Sequence, residues 1–333
     1  VSLTEVAIGV RPGDTGNPLL GAEKSEEFEI GFDAALADDR FGLGLVYFHK
    51  KGVDQILTLP VPPSLGAGGP DVNVGSILTD GYELSGDVRL ITRPNVAWEV
   101  RGSYNTINNE VLDLGGIPET TTRKEGYPLN GAWEYKILDV DPANNRVTVS
   151  DERVFVGNGA NYPGREASLS STFTLWQSLT FYLQGDYRGD HSVFDGTTEF
   201  RDRAFGIGEV SEKGAAAYGV DANGEPTEKA VIEYLKRYGP FYTETTGQEV
   251  SRRSVDGAYR QTVGTWKLRE ASVSYRIPAR LVQQYIRARS ASFSLTMRNL
   301  YTWTNFLGLD PESDQFLSVP QDKRWTMKLT VAF

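Results

Sequence analysis

The sequence predicts an all-β protein, an antiparallel transmembrane β-barrel segment of about nine to ten strands that would stand as an open sheet if isolated, with long extracellular loops. Three observations predict it. Apolar and polar residues alternate with period two over stretches long enough to cross a hydrocarbon layer when tilted. The connections between these stretches alternate between short and long, the pattern of tight periplasmic turns and large extracellular loops. No apolar run approaches the roughly 20 residues of a membrane helix. The mean hydropathy of −0.36 fits a barrel wall as well as a water-soluble protein, because lipid-facing and lumen-facing residues offset one another.

The alternation places strands at 26–37, 40–57, 76–91, 96–108, 166–176, 178–190, 265–277, 290–300 and 323–333. It is clearest where Leu179, Phe181, Leu183 and Tyr187 interleave with Thr180, Gln184, Asp186 and Arg188. Val273, Tyr275 and Ile277 alternate with Ser272, Ser274 and Arg276, and Phe293, Leu295 and Met297 with Ser294, Thr296 and Arg298. Short connections fall at 38–39, 92–95 and 177, with a longer one at 278–289 that accommodates a helical turn around Leu281, Val282, Tyr285 and Ile286. Long ones fall at 58–75, 109–165, 191–264 and 301–322. Within the third, Pro226 to Tyr238 reads as a helix, with Pro226 in the first turn, Val231, Leu235 and Tyr238 on one face, and Gly239-Pro240 as the stop.

Composition excludes several function classes. With no cysteine there is no disulfide framework and no thiolate chemistry. The net charge of −10 argues against a nucleic-acid partner. The two histidines, His49 and His191, lie far apart, and no hydrolase or metalloprotease motif accompanies them. Each reads as solvated or hydrogen-bonded, so the chain is expected not to be an enzyme and to carry no cofactor. The first residues, VSLTEVAIG, have neither the charged nor the apolar region of a signal peptide.

Three segments carry a family resemblance: NPLLGAEKSEEFEIGFDAALADDRFGLGLVYFHKKGVDQIL at 17–57, WKLREASVSYRIP at 266–278 and RNLYTWTNFLGLDPESD at 298–314. Weaker echoes are GYELSG at 81–86 and NYPGREASLSSTFT at 161–174. In this order they resemble the C-terminal barrel region of the SusC/RagA-like TonB-dependent outer-membrane receptors. The resemblance implies active import of a large nutrient, an oligosaccharide or a peptide, across the outer membrane of a Gram-negative bacterium. It also implies a SusD-like surface lipoprotein as lid and energy from the TonB–ExbB–ExbD complex. On this reading residues 1–333 are all barrel, and the signal peptide, TonB box and plug domain are absent from them. Two other readings stay open: a TonB-dependent siderophore or cobalamin receptor, and a soluble β-rich binding or adhesion module.

The candidate site residues form three groups. Arg101, Gln184, Asp186, Arg188, Arg276 and Arg298 occupy the polar phase of their strands and are expected to face the lumen. Trp133, Tyr135, Phe241, Tyr242, Trp303 and Phe306 lie in or beside the long loops and are the candidates for ligand or lid contact; aromatic faces suit a ligand, and packing between loops or docking of a lid protein is the favoured reading beside it. Asp310, Glu312 and Asp314 could offer oxygen ligands to calcium, although the run lacks the ligand series and central glycine of a full calcium loop. The preferred reading is a turn motif stiffened by Pro311. Trp98, Trp176 and Trp325 lie near strand ends, where interfacial anchoring to membrane lipid is favoured.

Overall fold

The computed structural model describes residues 16–61, 68–120, 123–156, 162–205, 219–313 and 319–333. Nine long strands make one sheet in which every strand pairs with its neighbours in sequence. They are β1 (Lys24–Leu36), β2 (Phe41–Val53), β3 (Ser76–Arg93), β4 (Val96–Asp113), β5 (Arg165–Leu175), β6 (Leu179–Phe194), β7 (Arg260–Ile277), β8 (Ser290–Thr304) and β9 (Arg324–Ala332). All eight pairings are antiparallel, and β1 and β9 are the two edges. All-antiparallel pairing in chain order needs only hairpin connections, and period-two patterning supplies the two faces.

Strand centres lie where the alternation puts them, but several strands run further toward the long loops. β4 continues to Asp113, β6 to Phe194 and β8 to Thr304, while β7 begins at Arg260. There the backbone ladder persists although neither face must be apolar, so the pattern fades before the strand does. β2 ends earlier than expected. Asp54 takes φ 56° and interrupts it, and Ile56–Thr58 pairs instead with Asp71–Asn73 in a separate ribbon.

Cross-strand partners share a face. One face carries Phe28, Ile30, Phe32, Leu169, Phe181, Leu183, Met327 and Leu329, all exposed, with Leu329 at 68%. Aromatic pairs bound this apolar band at both ends. Trp98 meets Phe173 edge-on at 6.3 Å near the short turns. Tyr187 lies 5.0 Å from Trp266 and Tyr301 lies 4.6 Å from Trp303 near the long loops. Phe293 and Tyr301 on β8 are eight residues apart, about 26 Å of strand at about 3.3 Å per residue. Tilted, that length suits the hydrocarbon band of a membrane barrel. Among the described residues no helix is long and apolar enough to cross a membrane.

The short connections gather at one end and the long ones at the other. In the β5–β6 turn Trp176 and Gln177 take φ 49° and 58°, the left-handed pair that matches hairpin twist. The turn is tied down by Gln177 Nε2 donating to Pro94 O at 3.0 Å and Ser178 Oγ donating to Trp176 O at 3.0 Å. Connection 278–289 contains the expected helical turn, Ala279–Leu281 running into Val282–Ile286.

The two longest loops fold together into a cap with its own core. Helix α1 (Gly196–Phe205) follows β6 directly, and α2 (Glu228–Tyr238) comes later in the same loop. The expected helix starts two residues later than read. Thr227 is its N-cap, accepting a hydrogen bond from Ala230 N at 3.2 Å, so Pro226 lies just before the helix and not in its first turn. Gly239 closes it by donating to Leu235 O at 2.8 Å. Short strands from both loops combine in a four-stranded sheet, where Phe241–Thr243 runs parallel to Arg146–Val149. Val147, Val149, Leu235, Phe241, Val255 and Ala258 form the buried core beneath α2.

Candidate functional site

The polar face holds a cluster of charges where β6, β7 and the β8–β9 loop meet. A bulge sets it up. Gln184 of β6 pairs with Glu270, yet Gly185 pairs with Leu268, which leaves Arg269 as an extra residue in β7. Two residues opposing one in a bulge project to nearly the same side, so Lys267, Arg269 and Glu270 all reach the polar face while Leu268 stays on the apolar one.

Arg269 grips the Asp186 carboxylate with two nitrogens and also bonds Glu312. Lys267 Nζ donates to both oxygens of Asp310, at 2.8 and 3.0 Å, and to Glu312 at 2.8 Å. Its side chain is 5% exposed. The loop is shaped to deliver these carboxylates: Glu312 N donates to Asp310 Oδ1 at 3.0 Å and Ser313 N to Asp310 O at 3.0 Å. Gly308 leaves room nearby: a Cβ there would sit 2.6 Å from Asp195 Oδ2 and against the Phe306 ring, so those side chains would have to shift. Burial opposes ionisation of Glu312, but the hydrogen bonds and charges of Arg269 and Lys267 outweigh it and hold the carboxyl down at about 2.

This arrangement counts against the alternative calcium reading. Both oxygens of Asp310 accept hydrogen bonds from the Lys267 ammonium, and Glu312 accepts from Lys267 and Arg269, so these carboxylates are already engaged by cations of the wall. Asp314 lies outside the described residues. Among the described residues, no group of three His, Cys, Asp or Glu side chains is placed to hold a metal. The turn reading of the motif is the one the geometry supports.

Beside the cluster lies a groove of about 520 Å3 lined by Ser103, Asn105, Glu166, Gln184, Asp186 and Arg188 among others. Arg188 reaches Glu166 at 3.2 Å and Glu312 at 3.6 Å. Amides, hydroxyls and charges of both signs suit hydrogen bonding to a peptide backbone or to sugar hydroxyls. All six strand candidates lie on the polar face, but only Gln184, Asp186 and Arg188 share this groove. Arg101 bonds Glu99 at 2.6 Å in a separate trough with Asp33, Asp87 and Arg89. Arg298 pairs with Glu270 at 2.9 Å, and Arg276 lies opposite Ser292 near the short turns.

The aromatic candidates divide differently. Phe241 is 1% exposed in the cap core, and Phe306 packs with Val193 and Val263; neither ring has a face left for a ligand. Trp303 stands exposed on the apolar face beside Tyr301, turned away from the groove. These three placements count against ligand contact in the groove. Trp133 sits in an aromatic nest with Tyr127 at 4.7 Å and Phe155 at 5.5 Å, with Lys124 Nζ 3.8 Å over its ring. Tyr135 and Tyr242 are half-buried in the cap under Arg153 and Arg146, whose guanidinium carbons lie 5.8 and 4.8 Å from the ring centres. His191 is buried in β6 opposite Val263, and His49 is half-buried on the apolar face opposite Phe28.

A family model for the TonB dependent receptor-like β-barrel matches residues 6–225. The chain belongs to the TonB-dependent receptor β-barrel family. Two curated TonB-dependent receptors of Formosa agariphila, P26 and P3, are 23% and 21% identical to it over 92% of its length. The chain spans about a third of those receptors, 33% and 32%. Among solved structures, the RagAB peptide transporter superposes with a TM-score of 0.77 at 18% identity, covering 100% of this chain and 38% of that one. The same importer in its open-open state gives 0.74 at 17% identity, covering 99% and 37%. These similarities establish the same barrel-wall fold.

Family membership replaces the soluble-module alternative and assigns the faces. In a TonB-dependent receptor barrel the apolar band meets lipid and the polar face meets the lumen, so the ion cluster and groove lie on the lumen side near the long loops. A direct consequence can be measured. Leu183→Arg places a cation mid-strand on the apolar face of β6 and is expected to cost about 2–4 kcal/mol. Folded yield, read by heat-dependent gel migration of the complete receptor, should fall, whereas Gln184→Arg one residue away should be tolerated. Equal behaviour of the two variants would contradict the assignment of faces.

Proposed function

We propose that this chain supplies wall and extracellular cap to a SusC/RagA-like receptor in the outer membrane of a Gram-negative bacterium. That receptor imports a large nutrient, a peptide or an oligosaccharide, using energy from the TonB–ExbB–ExbD complex. The observation that carries the reading is a polar, groove-bearing lumen face lying beside a cap built from two long loops. Capture of a multivalent polar substrate needs many hydrogen-bonding groups along one surface, and the groove around Gln184 and Arg188 offers them. Arg101, Arg276 and Arg298 extend the charged lining along the same face, and Trp133, Tyr135 and Tyr242 are the cap aromatics left as contacts for substrate or lid. The likeness to the RagAB peptide transporter supports a peptide as the first substrate to try, with a SusD-like surface lipoprotein as the covering partner. The plug and the segment that contacts TonB belong to the remainder of the receptor on this reading. The protein moves its substrate and does no bond chemistry on it.

The test is uptake by cells that express the complete receptor with its neighbouring surface lipoprotein. Fluorescent peptides and oligosaccharides are offered with and without a functional TonB complex. Uptake of one class should fall to background without TonB, and the lipoprotein should co-purify with the receptor. Uptake that is indifferent to TonB would overturn the reading.

A further inference from the structure

The connection between β7 and β8 is unlike the other turns at its end. Its Val282 and Ala288 are buried against Ala291, with Ile277 and Val331 packed around them. Ile277, Ala291 and Val331 pair with one another across β7, β8 and β9 in the apolar phase. The turn therefore folds up against the lipid-facing side of the wall instead of hanging beneath the lumen. Its free surface is apolar at the tip: Leu281, Tyr285 and Ile286 are exposed, Tyr285 at 74%. Arg280, Arg287 and Arg289 are also exposed. No aspartate or glutamate occurs from 278 to 292 in a chain whose net charge is −10.

Apolar tips flanked only by arginine suit one environment. An aromatic ring with a polar end prefers headgroup depth, arginine pairs with phosphate through two parallel hydrogen bonds, and basic residues beside a membrane favour anionic lipid. The surface is continuous with the apolar band through Phe293 and Leu329, which pair on β8 and β9. Trp98 and Trp176 are exposed near the same end of the barrel.

We propose that residues 278–289 form an interfacial anchor for anionic phospholipid in the leaflet at the short-turn end. Leu281, Tyr285 and Ile286 enter the interface, and Arg280, Arg287 and Arg289 hold lipid phosphate. The packed Val282 and Ala288 fix the anchor to the wall, so lipid binding braces the β7–β8 hairpin and its edge neighbour β9. The inference rests on the membrane-barrel reading, and its test separates the two.

The chain has no cysteine, so in the complete receptor, made cysteine-free elsewhere, Tyr285→Cys and Leu329→Cys each take a single spin label. The labelled proteins are reconstituted into phosphatidylcholine vesicles with and without phosphatidylglycerol. Accessibility to oxygen and to a water-soluble nickel chelate then gives depth. The label at 329 should lie in hydrocarbon and that at 285 at headgroup level. In parallel, native mass spectrometry of the unlabelled receptor should show phosphatidylglycerol retained over phosphatidylcholine by about ten-fold or more, falling toward parity in Arg280→Gln/Arg287→Gln/Arg289→Gln. A label at 285 freely open to the nickel chelate, or shielded from both probes by a protein contact, overturns the anchor. So does an undiminished lipid preference in a folded triple variant. A label at 329 found in water overturns the barrel reading itself. The depth measurement does not depend on whether the triple variant folds.

Discussion

Replacing Lys267 with Met is expected to destabilise the junction between the β8–β9 loop and the barrel wall by about 3–5 kcal/mol, the usual cost of removing one partner from a buried ion pair. Lys267 is the only cation in contact with Asp310 among the described residues, and it shares Glu312 with Arg269. The variant leaves the Asp310 carboxylate desolvated and uncompensated. The loop should then detach, read as new protease cleavage within 305–323 of the complete receptor and a lower unfolding midpoint in detergent. Adding Asp310→Asn should recover part of the loss, because the stranded charge is then gone. An unchanged midpoint with an intact loop would show that the cluster does not hold the junction.

The same cluster sets an acid limit. The carboxyl of Glu312 is held at about 2 against a reference of 4.5, so the native state binds fewer protons than the unfolded chain between those values. Its contribution is therefore full above pH 4.5 and is lost as pH falls toward 2. Loop attachment should be flat from neutral pH down to about 5 and weaken below that. Glu312→Gln should start weaker and show less of this acid fall.

Phe241→Ala is expected to cost about 3–5 kcal/mol, the range for deleting a buried aromatic ring. The difference lies in where the cost falls. Phe241 packs among Val147, Val149, Leu235, Val255 and Ala258, all within the cap, and none of these residues belongs to β1–β9. Hydrogen exchange in the complete receptor should accelerate in 137–149, 228–238 and 241–250, with the nine-strand sheet unchanged. Uniform loss of protection would mean that cap and wall unfold as one unit; no change at all would mean that the ring is dispensable.

Much of the wall was legible because its physics is local. A residue in an antiparallel strand faces lipid or lumen according to its parity, so Leu179-Thr180-Phe181 and its counterparts disclose strand, face and approximate length together. Loop lengths disclosed polarity, since short and long connections fall at opposite ends. Alternation in Trp266-Lys267-Leu268-Arg269-Glu270-Ala271 breaks at two consecutive charges, and the break is the bulge that brings Arg269 to the lumen face.

The site was less legible. Asp310 and Glu312 leave a calcium reading open beside the preferred turn reading, because a carboxylate's partner is invisible in sequence; their shared cation, Lys267, lies 43 and 45 positions away. Phe241 and Phe306 sit in loops, where ligand contact and packing read alike in the sequence. Only packing shows that one loop lays Phe241 against Val147 of another, 94 positions earlier, with no periodicity to announce it.

By itself the sequence determined the nine strands, their antiparallel order, the lipid and lumen faces and the end that bears the large loops, because each depends on parity and on connection length. Tertiary structure alone decided that two loops make one cap, that a lysine and an arginine clasp the Asp310–Glu312 turn to the wall, and that the β7–β8 turn lies on the outer face. Those features depend on contacts between segments distant in the chain, and no local pattern encodes a partner that far away.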